Sequence, residues 1–169
     1  MPNPAAEPQP ARVLIVGVAD MKLSDRPGDR VVTHALGSCI GLAVHDARAG
    51  VGGIIHFMLP ASSVNPGKAE RNPAMFGDAG IPAFLQEAWV LGAQAARLRV
   101  VMAGGAQLID ANDFFAIGKR NQTIARQICW KNRLLIDREH VGGTLSRTLT
   151  LEIGSGRAWV KYQGREMEL

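Results

Sequence analysis

Apolar residues recur along the chain in short runs separated by glycine, proline and polar clusters, which is the pattern of a mixed sheet-and-helix protein. Val13 to Val18 reads as a buried strand, and Ser24 to Arg30, with Pro27-Gly28-Asp29 inside it, reads as a turn-rich loop. Val31 to Thr33 enters a second strand. Leu36 to Val44 is apolar with small residues interspersed, the cluster His45 to Gly50 signals a turn, and Val51 to Met58 is apolar again, so this region predicts a hairpin. Leu59-Pro60 ends it, and a polar loop through Asn65-Pro66-Gly67 and Asn72-Pro73 follows. Ile81, Phe84, Leu85 and Ala88, continuing to Leu91, then fall on one helical face, with Gln86 and Glu87 away from it. Arg97 to Ala103 reads as a strand ending at Gly104-Gly105, and Gly118 to Lys131 as a second helix with Ile124, Ala125 and Ile128 inward. Leu134 to Glu139 reads as a further strand. Thr148 to Ile153 and Ala158 to Tyr162 flank Gly154-Ser155-Gly156 as a closing hairpin.

Composition narrows the class. The chain has 169 residues, of which 47% are hydrophobic, enough for one compact domain with a real core. The opening MPNPAAEPQP holds four prolines and almost no bulky apolar side chain, so residues 1–11 are expected to be a disordered lead-in and 12–169 the folded unit. A net charge of +4 comes from lysines and arginines scattered without a basic block, and there is a single tyrosine. No nucleic-acid partner is expected, because neither a stacking sheet nor a Cys/His finger is spelled out. Two cysteines make no disulfide framework, the first residues lack signal-peptide character, and no apolar run reaches bilayer length. A cytoplasmic protein without direct membrane insertion is the expectation.

Two residues carry candidate chemistry. Cys39 follows Gly37-Ser38, which permits an unusual backbone turn and close approach of a substrate, and Ser38 is the neighbouring candidate for substrate contact. His56 sits among Ile54, Ile55, Phe57 and Met58, so it is buried or lines a cleft. A histidine within reach of a thiol takes its proton and later returns it to a leaving amine, and consecutive strands bring the two side chains together if both face the same way. The residues alone leave open the alternative that Cys39 is a small buried hydrophobe and His56 a core histidine bonded to a carbonyl. His45, beside Asp46 in a turn, reads as exposed, and Cys129 beside Ile128 and Trp130 as packing. His34, His45 and His56 lack ligand spacing, so no metal site is expected, and no phosphate-cradling glycine loop is present.

The ordered series Thr33, Leu36-Gly37-Ser38-Cys39, Gly53-Ile54-Ile55-His56-Phe57-Met58-Leu59-Pro60, Pro73 to Asp78, Ala103-Gly104-Gly105-Ala106, Ile117 to Asn121 and Gly142-Gly143 with Arg147 resembles the CheD family of chemoreceptor glutamine deamidases, over about residues 12 to 163. Ala61 and Met75 depart from its pattern, at positions where an acidic and a basic residue are usual. The resemblance implies a layered α/β (α+β) fold with a β-sandwich-like core and flanking helices, similar to the catalytic fold of the cytotoxic necrotizing factor toxins. It implies a cofactor-free cysteine amidohydrolase, a protein-glutamine glutaminase, with Cys39 as nucleophile, His56 as base and Thr33 orienting the imidazole. The implied partners are methyl-accepting chemotaxis receptors and, in some members, a CheC-type phosphatase. The competing expectation is a regulatory binding module that needs no turnover.

Overall fold

The computed structural model describes residues 10–107 and 116–169, so residues 1–9 of the anticipated lead-in lie outside the described residues. Ten strands and three α-helices follow in the order β1 (Val13–Val16), β2 (Asp20–Ser24), β3 (Arg30–Leu36), β4 (Ile40–Asp46), β5 (Val51–Phe57), α1 (Pro66–Arg71), α2 (Gly77–Val90), β6 (Arg99–Gly104), α3 (Ile117–Lys131), β7 (Arg138–Val141), β8 (Arg147–Glu152), β9 (Ala158–Tyr162) and β10 (Arg165–Glu168). They make two five-stranded mixed sheets, ordered β1-β3-β8-β9-β10 and β2-β5-β4-β6-β7.

Side-chain alternation explains the layers. Leu42, Val44, Ile55, Phe57, Val100 and Met102 pack against Ile81, Phe84, Leu85 and Ala88 of α2 and Ala125 and Ile128 of α3. The intervening Ala43, Ile54, Val101 and Ala103 turn the other way and meet Val31, Leu36, Leu149, Leu151 and Val160 of the first sheet. The order is therefore sheet, sheet, helices: a sandwich with helices on one side, as the resemblance implied. β4 is buried at all seven residues because it is central in a sheet covered on both faces, which is why its sequence reads as a continuous apolar run.

The β4–β5 and β8–β9 hairpins pair antiparallel as the sequence predicts. Other boundaries move. The run Leu36 to Val44 is broken: Leu36 ends β3 in one sheet, Ile40 starts β4 in the other, and residues 37–39 cross between them. The strand expected over Leu134–Glu139 is the shorter β7, since Leu134 instead fills the helix-side core. His45, expected to be exposed, is 5% exposed, because β4 runs on through Asp46 and the Nε2–H of His45 donates to the Ile153 carbonyl at 2.7 Å.

Candidate active site

The crossing from β3 to β4 is built from local strain and missing side chains. Ala35 adopts a left-handed φ of 57°, a conformation that costs an L-residue about 1 kcal/mol, and the β3–β8 register shifts between Thr33 and Leu36. The chain leaves the first sheet there and delivers Cys39 to the start of β4, the central strand of the second. Gly104, at φ 110°, lies so close that a Cβ on it would stand 2.1 Å from the Cys39 carbonyl oxygen. The next residue, Gly105, donates its N–H to that same carbonyl at 2.8 Å, and Ala106 donates to the Gly37 carbonyl at 2.8 Å. The loop after β7 steadies this turn, since Gly142 N–H donates to the Gly104 carbonyl at 3.0 Å. That loop is gathered by the buried guanidinium of Arg147, which donates to the carbonyls of His140, Gly142 and Leu145.

Thr33 and His56 meet between the sheets, and Cys39 packs against the same inter-sheet core. Ile54 faces the inter-sheet core while Ile55 and Phe57 face the helices, so alternation turns His56 toward the first sheet. Thr33, fully buried on β3, meets it there: Thr33 Oγ1 and His56 Nδ1 are 2.7 Å apart. Gly41 is directly opposite His56 in the β4–β5 ladder, and Cys39 lies two residues before Gly41. Ile40 packs on the helix side and Cys39 against the inter-sheet core, so Cys39 and His56 border the same core. Glycine at 41 matters because a Cβ would come 2.9 Å from Leu36 Cδ1 and 3.3 Å from Thr33 Cγ2.

The hydrogen bonds determine which nitrogen of His56 carries the proton. Thr33 Oγ1 also lies 2.8 Å from the carbonyl of Val16, which can only accept, so the single hydroxyl proton goes there. The Thr33 oxygen must then accept from His56 Nδ1–H. That leaves Nε2 as the bare, basic nitrogen, and Nε2 is buried without a hydrogen-bond partner among the described residues. A buried acceptor left so costs about 1–3 kcal/mol, which is the kind of cost that functional groups carry.

Burial dominates the ionisation of both groups. It lowers the pKa of His56 to about 4, against a smaller raising effect of the Asp20 charge, and it raises that of the Cys39 thiol, against a lowering by its own N–H. The resting pair is therefore a thiol and a neutral imidazole. Asp20, opposite His56 in the β2–β5 ladder, supplies the charge that favours the imidazolium; its carboxylate is occupied by Lys22 and by the N–H groups of Gly17 and Met21. Ser38 is half-buried, and its carbonyl, 3.0 Å from the Nδ2 of Asn121, is what the structure ties down. Cys129, 1% exposed with its pKa pushed up to about 12, is a packing residue of the helix-side core.

Sequence reasoning missed Asp20 and Asn121. Asn121 had a readable signal, because it precedes Ala125 by one helical turn and so shares the inward face of α3, where an amide is unexpected. Asp20 had none, since its place depends on β2–β5 pairing. No three His, Cys, Asp or Glu side chains among the described residues are placed to hold a metal ion.

The probable chemoreceptor glutamine deamidase CheD of Solibacter usitatus (strain Ellin6076) is 47% identical over 156 residues, 92% of this chain and 92% of the relative. A span that long must take in residues 33 to 56. The probable chemoreceptor glutamine deamidase CheD 1 of Syntrophus aciditrophicus (strain SB) is 44% identical over 151 residues, 89% of this chain and 94% of the relative. The crystal structure of the Bacillus licheniformis hypothetical protein YfiH matches at a TM-score of 0.45 and 16% identity, over 72% of this chain and 49% of that one. The family model for CheD, described as chemotactic sensory transduction, matches residues 58–162, which include Asn121 and Arg147. On these matches the chain belongs to the CheD family.

Proposed function

We propose that the protein is a chemoreceptor glutamine deamidase that hydrolyses glutamine side-chain amides of methyl-accepting chemotaxis receptors to glutamate, with Cys39 as nucleophile, His56 as general base and acid, and Thr33 as the residue orienting the imidazole. The observation that carries the chemical part is the Val16–Thr33–His56 hydrogen-bond chain, which leaves the basic nitrogen of His56 unpaired in the inter-sheet core that Cys39 borders. The names of the relatives supply the substrate class.

The reaction follows from a pair that is neutral at rest. As Cys39 Sγ adds to the carboxamide carbon, His56 Nε2 takes the thiol proton, and the amide oxygen becomes an oxyanion that accepts a hydrogen bond from the Cys39 N–H. The imidazolium so formed is held by the Thr33 oxygen, and the Asp20 charge favours it. His56 then gives its proton to the nitrogen, the C–N bond breaks and ammonia leaves, with a thioester on Cys39. A water loses a proton to His56 as it attacks the thioester; the C–S bond breaks, the proton returns to sulfur, and glutamate is released. A hydroxyl orients the ring without the charge a carboxylate would contribute, so Thr33 supplies tautomer and direction more than charge stabilisation. The same steps apply to a glutamyl methyl ester. Ser38, adjacent to the nucleophile, is the substrate-binding residue in this reading.

No described helix is long and apolar enough to cross a membrane. The proposed setting is the cytoplasm, at the cytoplasmic helices of receptors, and the family resemblance adds a CheC-type phosphatase as a competing partner. The test is to incubate receptor cytoplasmic fragments with wild-type protein and with Cys39→Ala, then map amide-to-acid mass gains peptide by peptide. Conversion by wild type alone is the expected result. Equal background conversion by both would remove the proposal.

A further inference from the structure

Asn121 is fully buried near the start of α3, and its Nδ2 donates to two carbonyls, Ser38 at 3.0 Å and Met58 at 2.8 Å. Both partners only accept, so the orientation of the amide is fixed. The Ser38 carbonyl belongs to the same peptide group as the Cys39 nitrogen, and Met58 follows His56 by two residues. One side-chain NH2 therefore ties the segment that carries the thiol to the end of the strand that carries the imidazole. Its oxygen, Oδ1, is buried with no hydrogen-bond partner among the described residues. An unsatisfied buried amide oxygen is destabilising, and the neighbours of Asn121 on this helix face, Ala125 and Ile128, are apolar. An amide retained at that cost points to a use for its two donors.

The use follows from peptide geometry. In a planar trans peptide the C=O and N–H point in opposite directions, so the bond that fixes the direction of the Ser38 carbonyl also fixes that of the Cys39 N–H, away from Asn121. That N–H belongs to the residue whose sulfur attacks, so its direction decides whether it can meet the oxyanion. We infer that Asn121 is a positioning residue which holds the Ser38–Cys39 peptide so that the Cys39 N–H faces the oxyanion formed when Sγ adds to the substrate amide. The inference rests on Cys39 being the nucleophile. Asn121 touches no reacting atom and acts only through the peptide group it binds.

An oxyanion donor removed outright costs about 10²–10³ in kcat, so one left in place but free to turn should cost less, about 10- to 100-fold. The discriminating measurement pairs two reactions of the same sulfur. Deamidation of a receptor fragment passes through an oxyanion, whereas alkylation of Cys39 by iodoacetamide needs an ionised sulfur and no oxyanion. In Asn121→Leu, close in shape but without donors, kcat for deamidation should fall by about 10- to 100-fold with KM within about 2-fold, while the alkylation rate of Cys39 stays within about 3-fold of wild type. Asn121→Ala, which places no new bulk in the site, should show the same split. Unchanged kcat, or kcat and alkylation falling together, would overturn the inference, as would failure of both variants to fold, because the amide would then be serving the fold. If wild type shows no deamidation beyond that of Cys39→Ala, the nucleophile reading has failed, and that result is seen before any Asn121 variant is compared.

Discussion

Acidification tests the buried imidazole through stability, independently of any substrate. His56 is 0% exposed, and burial holds its pKa at about 4 against the ordinary 6.5. Its folded value lies below its unfolded one, so as pH falls the unfolded chain binds the proton first. The stability it contributes is whole above pH 6.5, declines below it and is gone by about pH 4. Between about pH 7.5 and pH 5 the full shift corresponds to about 2 kcal/mol, and allowance for solvent screening brings it to about 1–2 kcal/mol. Asp29 and Asp46, whose partners hold them at about 2 against 3.8, lose their contributions lower, as pH falls from the unfolded value toward about 2. His140 is also lowered, by burial and by Arg147, and adds a slope of the same sign. The comparison is therefore with His56→Gln, which keeps His140. Urea unfolding followed by tryptophan fluorescence across this pH range should show wild type losing about 1–2 kcal/mol more than the variant. Parallel pH slopes would refute a His56 buried in its neutral form.

Three further outcomes follow from the same contacts. Thr33→Val keeps the shape but leaves His56 Nδ1–H and the Val16 carbonyl without their shared hydroxyl; stability should fall by about 1–3 kcal/mol and kcat by at least about 10-fold, with imidazole nitrogen NMR shifts reporting a mixed tautomer, whereas a retained Nδ1–H tautomer would contradict the assignment. Gly104→Ala places a methyl against the Cys39 carbonyl at a left-handed φ of 110°, so a loss of more than about 2 kcal/mol is expected in thermal unfolding, and a wild-type melting temperature would argue against that close approach. The acid limb of kcat/KM should follow His56 toward about 4, and a limb centred near 6.5 would mean that the base is solvated in the free enzyme.

The sequence pattern was most legible where burial imposes a period. The inward face of α2 and both hairpins are readable because Ile81, Phe84, Leu85 and Ala88, or alternating pairs such as Ile54 and Ile55, must each meet a core. β2 escaped, although Met21 and Leu23 alternate with polar residues, because Asp25-Arg26-Pro27-Gly28 beside it is a stronger turn signal than five residues are a strand signal. β10 is exposed at all four residues and owes its conformation to pairing with β9, which no local pattern encodes. The break at residues 37–39 was hidden by the apolar run on either side, since those residues face two different sheets. In the site, Thr33, Cys39 and His56 were nameable from motif order, whereas the proton on Nδ1 depends on the Val16 carbonyl and the clamp on Ser38 depends on α3, both set by tertiary contacts.

The most direct test of the central claim is a titration of the thiol itself. Wild-type protein is treated with increasing iodoacetamide, the modified cysteine is mapped by mass spectrometry, and ammonia release from a receptor cytoplasmic fragment is measured on each sample. Cys129 is an internal control, buried and with its pKa pushed up to about 12. Activity should fall in proportion to Cys39 alkylation and reach zero when that residue is fully modified, with Cys129 untouched. Deamidation that persists on protein fully alkylated at Cys39 would contradict it.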